Sequence, residues 1–540
     1  REGEKTWNMT KESFLRGAVV LTLASLVSRI IGLSHTIVLP RLILDEGMGL
    51  FQLVKPIHYF AAVVAIAGLP VAISKLTAEK AALGTRQEVK KVFWVGSGLM
   101  VLTGGIVALA LFFGADWFAV NFAKDGGVTG TLALLGPACF FLAISAAFRG
   151  FFQGLQCMTP AALAQVADQV VRVVVTVLAV LWLRPRGVEL AVTGIAWGFI
   201  AGEFAGWLVL AVYYAFRHET LLDAIPPKRT ASRSESVSGL ALRLTALAFP
   251  AVVATILWPV MQLADSLLIP TRMQLAGFSP DQIREGLGHL GMALTLSQFP
   301  NVVTVALATS LVPAISEAWA LQSKRLVRHR SQEALRIALI FGIPSCAALF
   351  VLGEPLSKML FGYSQVGVHL QILSFGTVTL GLIQAATGIL QGLGDMLIPV
   401  RNLAIGVAVK FALNYFLLAD PRFGILGAAW STTIGWTVIA LLNSWSVWRR
   451  IGKAVSLRHS VLYPALTAAG AALWMYFAQD TLASLTAHSG VSLIALLTGF
   501  VLYFLLLMIW GSLTERDVHL LPVLGRPLAR TLYAWGFLRR

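Results

Sequence analysis

The stretch GGVTGTLALLGPACFFLAISAAF, residues 126–148, carries no Asp, Glu, Lys or Arg, and the GFFQGL that follows it at 150–155 returns as GILQGL at 388–393. About 20 apolar residues suffice for one helical crossing of hydrocarbon. Outside closed barrels, helix is the form in which a spanning chain satisfies its own backbone. Windows 92–115, 359–394, 423–448 and 491–510 are equally free of charge. Adding the runs interrupted by one or two charges predicts fourteen spans, at 13–38, 49–74, 92–114, 129–150, 160–183, 189–215, 244–269, 287–316, 334–353, 367–391, 399–418, 424–448, 459–479 and 490–511. The first apolar run is too long for a cleavable signal and is expected to stay as a span. Met9 is read as the native start, with 1–8 a remnant ahead of it.

The composition agrees. Of 540 residues 57% are hydrophobic and 13% charged, far from a soluble domain and equally far from a disordered or collagen-like chain. The net charge of +16 is explained by topology rather than by nucleic acid. With both termini cytoplasmic, thirty of the 42 cations fall in inward connections and eight in outward ones, leaving Arg29, Lys55, Arg172 and Lys410 inside spans. That alternation is what the positive-inside rule requires. After Trp510, Leu528, Leu532 and Trp535 recur among arginines, suiting an interfacial amphipathic helix. Cys139, Cys157 and Cys346 have neither metal nor disulfide spacing and read as packing residues.

The return of GFFQGL is one of three ordered matches. Ala72-Ile73-Ser74 pairs with Ala314-Ile315-Ser316, and Gly194-Ile-Ala-Trp197 with Gly427-Ala-Ala-Trp430. The offsets of 242, 238 and 233 place six helices after six helices, a parallel repeat. The predicted fold is therefore an all-α polytopic membrane protein of about 14 helices, in two six-helix lobes related by a pseudo-two-fold axis along the membrane normal. Two further C-terminal helices follow. Residues 1–228 form the first lobe, 229–455 the second, 456–512 the added helices and 513–540 the tail. Transporters built from such repeats hold substrate between the halves and alternate access by rocking them.

Ionisable groups at membrane depth are costly and so mark function or a partner. Arg29 lies mid-span with His35 almost two turns on, the makings of a cationic headgroup site or one half of an ion pair. Lys55 and His58 share a face of the second span; Lys55 either lines a site or snorkels outward. Arg172 and Lys410 stand 12 and 11 residues after Pro160 and Pro399, at equivalent repeat positions. Asp168, four residues before Arg172, is placed to pair with it, whereas Lys410 has no acid within a turn. Asp265 follows a Pro250…Pro259 stretch expected to kink or unwind, so it is either a coupling carboxylate or a helix-end residue. Glu203 sits in Gly198-x-x-x-Gly202-Glu203-x-x-Gly206, a small-residue packing face. Asp265, Asp168 and Glu203 are the candidates for coupling transport to Na+ or H+; no cofactor, nucleotide loop or metal motif is present.

Several segments together resemble the stage V sporulation protein B family. They are SFLRG (13–17), SRIIG (28–32), EGMGLFQ (46–52), GLPVAISK (68–75), RGFFQG (149–154), DQVVR (168–172), ALATSLVPAIS (306–316) and QGLGD (391–395). That family lies in the multidrug/oligosaccharidyl-lipid/polysaccharide exporter superfamily, with the lipid II flippases. The resemblance implies two lobes in a V around a central cavity, and outward flipping of an undecaprenyl-pyrophosphate-linked cell-wall precursor across the cytoplasmic membrane. Arg29 looks like the first-helix arginine that lipid II flippases turn toward pyrophosphate, and His35 stands where those proteins carry a second arginine. Where their eighth helix has an Asp-Arg pair before Phe-Pro, this chain has Leu294-Thr295 before Phe299-Pro300. The implied partners are the lipid-linked oligosaccharide, membrane lipids and cell-wall synthases. The expected substrate-binding set is Arg29, His35, Lys55, His58, Arg172 and Lys410, driven by an ion gradient or the membrane potential. A cation-coupled multidrug exporter and a scaffold for wall synthases are the competing readings.

Overall fold

Charge-poor runs become long helices because no other open form leaves the backbone satisfied in lipid. The computed structural model describes residues 14–225, 235–452, 457–485 and 490–510, nearly all helical and with no strand among them. The long helices of the first part are α1 (Phe14–Ile66), α2 (Leu69–Ala82), α3 (Arg86–Phe113), α4 (Thr129–Gly154), α5 (Thr159–Leu183), α6 (Val188–Asp223), α7 (Val237–Leu275) and α8 (Pro280–Gln298). There follow α9 (Asn301–Ala320), α10 (Lys324–Val351), α11 (Val366–Gly392), α12 (Leu397–Leu417), α13 (Leu426–Ile451), α14 (Tyr463–Leu485) and α15 (Val491–Ile509). Ten helical segments among the described residues are long and apolar enough to cross a membrane, and one of them, Leu23–Ala82, takes in the first two expected spans. The tail at 513–540 and the start near Met9 lie outside the described residues.

Four expected features come out differently. The first two spans run together in α1, separated only by a bend at Leu44. The second does not reach residue 74: Ala67 (φ 47°) and Gly68 (φ 66°) turn the chain before Pro70, and α2 begins afresh. Glycine pays least for that left-handed turn, and a Cβ on Gly68 would stand 2.6 Å from the Ala248 carbonyl of α7. The eighth span is two helices, α8 and α9, parted at Phe299–Pro300, because proline ends the hydrogen-bond ladder of the helix before it. Of the kink or unwinding expected at Pro250…Pro259, the structure shows no unwinding: α7 runs helical through Pro250, Pro259 and Pro270. Prolines are tolerated in such helices where neighbours re-satisfy the freed backbone groups.

The chain divides into two compact units. The first runs to Gln274 and takes back Ser279–Gly288; the second takes Leu275–Phe278 and continues from His289. Each packs by the same rule, and the repeat can be followed atom by atom. In the first unit, a Cβ on Gly150 would lie 2.7 Å from the Pro70 carbonyl and one on Gly154 2.6 Å from that of Ser74. In the second, Gly388 meets the Ala308 carbonyl at 3.0 Å and Gly392 that of Val312 at 3.0 Å. Both partners in each contact are shifted by 238 residues. The match of Ala72-Ile73-Ser74 to Ala314-Ile315-Ser316, at 242, is therefore one helical turn out of packing register; four residues on, a helix presents nearly the same face. Within the second unit, α14 and α15 pack on α10, where the buried Tyr503 hydroxyl donates to the Ile340 carbonyl at 2.9 Å.

Candidate functional site: a buried charge cluster

The cluster forms because glycines let α6 approach α5. A Cβ on Gly198 would stand 1.8 Å from the Thr176 hydroxyl, and one on Gly202 2.5 Å from an Asp168 carboxylate oxygen. Asp168 and Arg172, one turn apart on α5, form the pair their spacing predicts, Nη2 to Oδ1 at 2.7 Å and Nε to the same oxygen at 3.2 Å. Glu203, beside Gly202, adds Oε1 at 2.7 Å from the same Nη2. The Phe199 ring, one turn earlier on α6, lies 4.5 Å from the guanidinium. Asp168 and Glu203 are only 9% and 6% exposed, and Oε2 of Glu203 has no hydrogen-bond partner among the described residues. One guanidinium thus serves two buried carboxylates, and Arg149 of α4 is near enough to act on Glu203. Arg149 also approaches the same α6 face, its Nη2 3.8 Å from a Cβ built on Gly206.

Around this cluster the structure gathers two histidines. His58 is buried, its Nδ1 3.7 Å from Cys139 Sγ and its ring edge-on to Phe199 at 4.9 Å. Phe199 therefore separates His58 from Arg172. His35 is half-buried on α1, and Nε2 is without a hydrogen-bond partner among the described residues. Lys55 lies 5.8 Å from the Tyr59 ring and, with His58, Tyr59, Thr131 and Phe199, lines a small recess among α1, α4 and α6. The cysteines are free thiols.

Arg29 is placed differently. Ser25 and Ser28 hydrogen-bond Gln165 of α5, and Gly32 touches Gln169, so these residues form the α1–α5 seam. Arg29 sits beside that seam, exposed, with no ion pair or hydrogen bond among the described residues. Asp265 on α7 is half-buried, and the hydroxyl of its neighbour Ser266 donates to the Leu53 carbonyl at 3.0 Å. Lys410 belongs to the second unit, buried at 7% exposure, its Cβ 2.9 Å from one built on Gly435. Sequence reasoning missed Phe199 and Arg149. The second could have been found, since it opens the RGFFQG segment whose glycines make the repeat contacts.

Outside the spans, Arg284 at the start of α8 grips Asp125 with Nε and Nη2 (2.6 and 2.9 Å) and Glu46 with Nη1 (2.8 Å), with Glu189 at 3.5 Å. Burial disfavours the Asp125 carboxylate, yet the Arg284 hydrogen bonds, the Gly127 amide and the Arg284 charge outweigh it and hold its pKa below the usual carboxylate value. The same bonds to Asp125, then Glu46, push the Arg284 pKa above its ordinary value.

A family model described as "Polysaccharide biosynthesis protein" matches residues 14–319, and one described as "MatE" matches 250–416. The chain is 29% identical over 532 residues to stage V sporulation protein B of Bacillus subtilis (strain 168), covering 97% of this chain and 100% of that one. It is 26% identical over 474 residues to lipid II flippase MurJ of the same organism, covering 84% and 86%. The solved structure of lipid II flippase MurJ in an inward closed conformation superimposes with a TM-score of 0.64 at 16% identity, over 93% of this chain and 99% of that one, a likeness of fold. These homologies are to flippases and transporters rather than to enzymes. The chain is a membrane protein of many spans that belongs to the polysaccharide biosynthesis protein family, within the multidrug/oligosaccharidyl-lipid/polysaccharide exporter superfamily.

Proposed function

We propose that this protein flips an undecaprenyl-pyrophosphate-linked cell-wall precursor, lipid II or a close relative, from the inner to the outer leaflet by alternating access. The observation that carries this reading is the contrast between two arginines in apolar helices. Arg172 is taken up by two carboxylates. Arg29 is exposed and has no ion pair among the described residues. A guanidinium carried at membrane depth with no acid beside it calls for an anion, and its planar donors match phosphate oxygens two at a time. Arg29 is the anchor for the pyrophosphate, with His35, Lys55 and His58 as supporting polar groups and Arg172 acting through the cluster. Asp168, Glu203 and Asp265 couple the cycle to H+ or Na+. The similarity to a protein named as a lipid II flippase supports the substrate class.

The test is a lipid II accessibility assay in cells with and without the protein, paired with Arg29→Ala. Loss of outward lipid II with normal expression of the variant is the expected result; full flipping by Arg29→Ala removes Arg29 from its role. The MatE match over 250–416 favours a second reading, a cation-coupled multidrug exporter. That reading predicts raised drug resistance on expression and no change in lipid II exposure.

A further inference from the structure

The bend in α1 holds a leucine where leucine does not rest. Leu44 has φ 65° and ψ 178°, a region populated in practice by glycine alone. Its side chain is 39% exposed, so its own packing does not force that backbone. What surrounds it does. A Cβ on Gly49 would lie 1.8 Å from the Arg284 carbonyl, and one on Gly288 2.2 Å from the Asp45 carbonyl, so α8 crosses α1 backbone to backbone just past the bend. At that crossing the Arg284 guanidinium holds Glu46, two residues after Leu44, together with Asp125 before α4 and Glu189 at the start of α6. Asp281 lies at 3.9 Å on α8 itself. Four carboxylates on three separate segments and on α8 converge on one guanidinium that is only 16% exposed.

We infer that Arg284 is the bolt of a conformational latch: its bonds to Glu46, Asp125 and Glu189 hold α1 bent against the unfavourable backbone of Leu44, and their release lets residues 41–50 relax. Strain persists only where its surroundings over-determine it, and the Arg284 cluster with the paired glycine contacts is what over-determines this bend. The chain passes from the first compact unit to the second directly after Gly288, so the bolt lies on the last turn of α8 that belongs to the first. The latch does not depend on what the protein carries, and its failure would leave the proposed substrate untouched.

The test is amide hydrogen exchange of the full chain in lipid nanodiscs, read on peptides covering 41–50 and 280–288. Arg284→Gln is expected to speed exchange in both peptides together, by about tenfold, as a cooperative opening does. Leu44→Gly should act in the opposite direction, slowing exchange at 41–50 below wild type, because glycine adopts this backbone without strain. Arg243→Gln is the control. It breaks a comparable surface cluster, with Glu79 at 2.8 Å and Glu235 at 3.5 Å, and should leave 41–50 unchanged. Should Arg284→Gln not fold, Glu46→Gln removes one arm of the clamp and should speed 41–50 by a smaller factor. Exchange that rises only at 280–288, or a faster 41–50 in Leu44→Gly, overturns the latch.

Discussion

The α5–α6 pair of the first unit and the α12–α13 pair of the second are copies of one packing solution with different charged residues on it. Gly194 meets Ala179 and Val180, and Gly427 meets Leu417; Gly202 meets Asp168 and Arg172, and Gly435 meets Gly406 and Lys410. The shifts are 238 on one helix and 233 on the other throughout, so Arg172 and Lys410 are counterparts, as the spacing after Pro160 and Pro399 implies. At the same shifts Gly406 stands for Asp168 and Trp436 for Glu203. One copy thus holds a guanidinium between two acids, while the other keeps the cation with glycine and tryptophan where those acids stand. Helix approach is set by small residues, which both copies retain, and the charge set is free to diverge because it sits on top of that contact.

The largest expected effect is on the first copy. Arg172→Met leaves two buried carboxylates without their cation and should cost about 3–5 kcal/mol, read from denaturant unfolding in detergent. Lys410→Met should cost clearly less, since neither counterpart position leaves a carboxylate behind; equal losses would break the comparison. Next come the contacts that both copies share. Gly202→Ala puts a methyl 2.5 Å from Asp168 and should cost about 1–3 kcal/mol by overpacking. Gly435→Ala, whose nearest neighbour is 2.9 Å away, should cost less, and a reversed order would show that the charge cluster gives way more easily than the lysine stem. Away from both copies, the Asp125–Arg284 pair gives a smaller, pH-dependent effect. The folded pKa of Asp125 lies below its unfolded value, so its contribution is present above about pH 4 and is lost as pH falls through the folded value. Thermal unfolding between pH 5 and 3 should show that loss, and Arg284→Gln should flatten it. The smallest effect on stability is at Arg29, where Arg29→Ala should fall within about 0.5 kcal/mol of wild type, its consequence appearing in transport instead.

Much of the fold was legible because lipid imposes a single strong rule: uncharged runs of sufficient length must be helices, and GFFQGL returning as GILQGL marks a repeat. The Asp168–Arg172 pair was legible for the same kind of local reason, one turn on one helix face. Other features were not. Glu203 could be placed on a glycine-rich face but not against Arg172, because that contact crosses helices. Arg284 falls between the expected spans 244–269 and 287–316 and reads as one more loop cation, and nothing in its neighbourhood announces Asp125, which is 159 residues away. The one-turn error in matching Ala72-Ile73-Ser74 to Ala314-Ile315-Ser316 shows the limit of sequence offsets: identity of letters tolerates a shift of four residues, whereas close backbone contact at Gly154 and Gly392 does not.

By itself the sequence determined the class of molecule, the helical spans, the repeat and the short list of charges that lipid makes expensive, since each follows from local composition and from periodicity along the chain. The tertiary structure alone decided which of those charges are satisfied. Whether a buried cation meets an acid depends on which helix faces come within about 3 Å of each other. In this chain that was settled by glycines on α6 and by the close crossing of α1 and α8 at Gly49 and Gly288, contacts that act through space and leave little trace in the pattern of the residues around them.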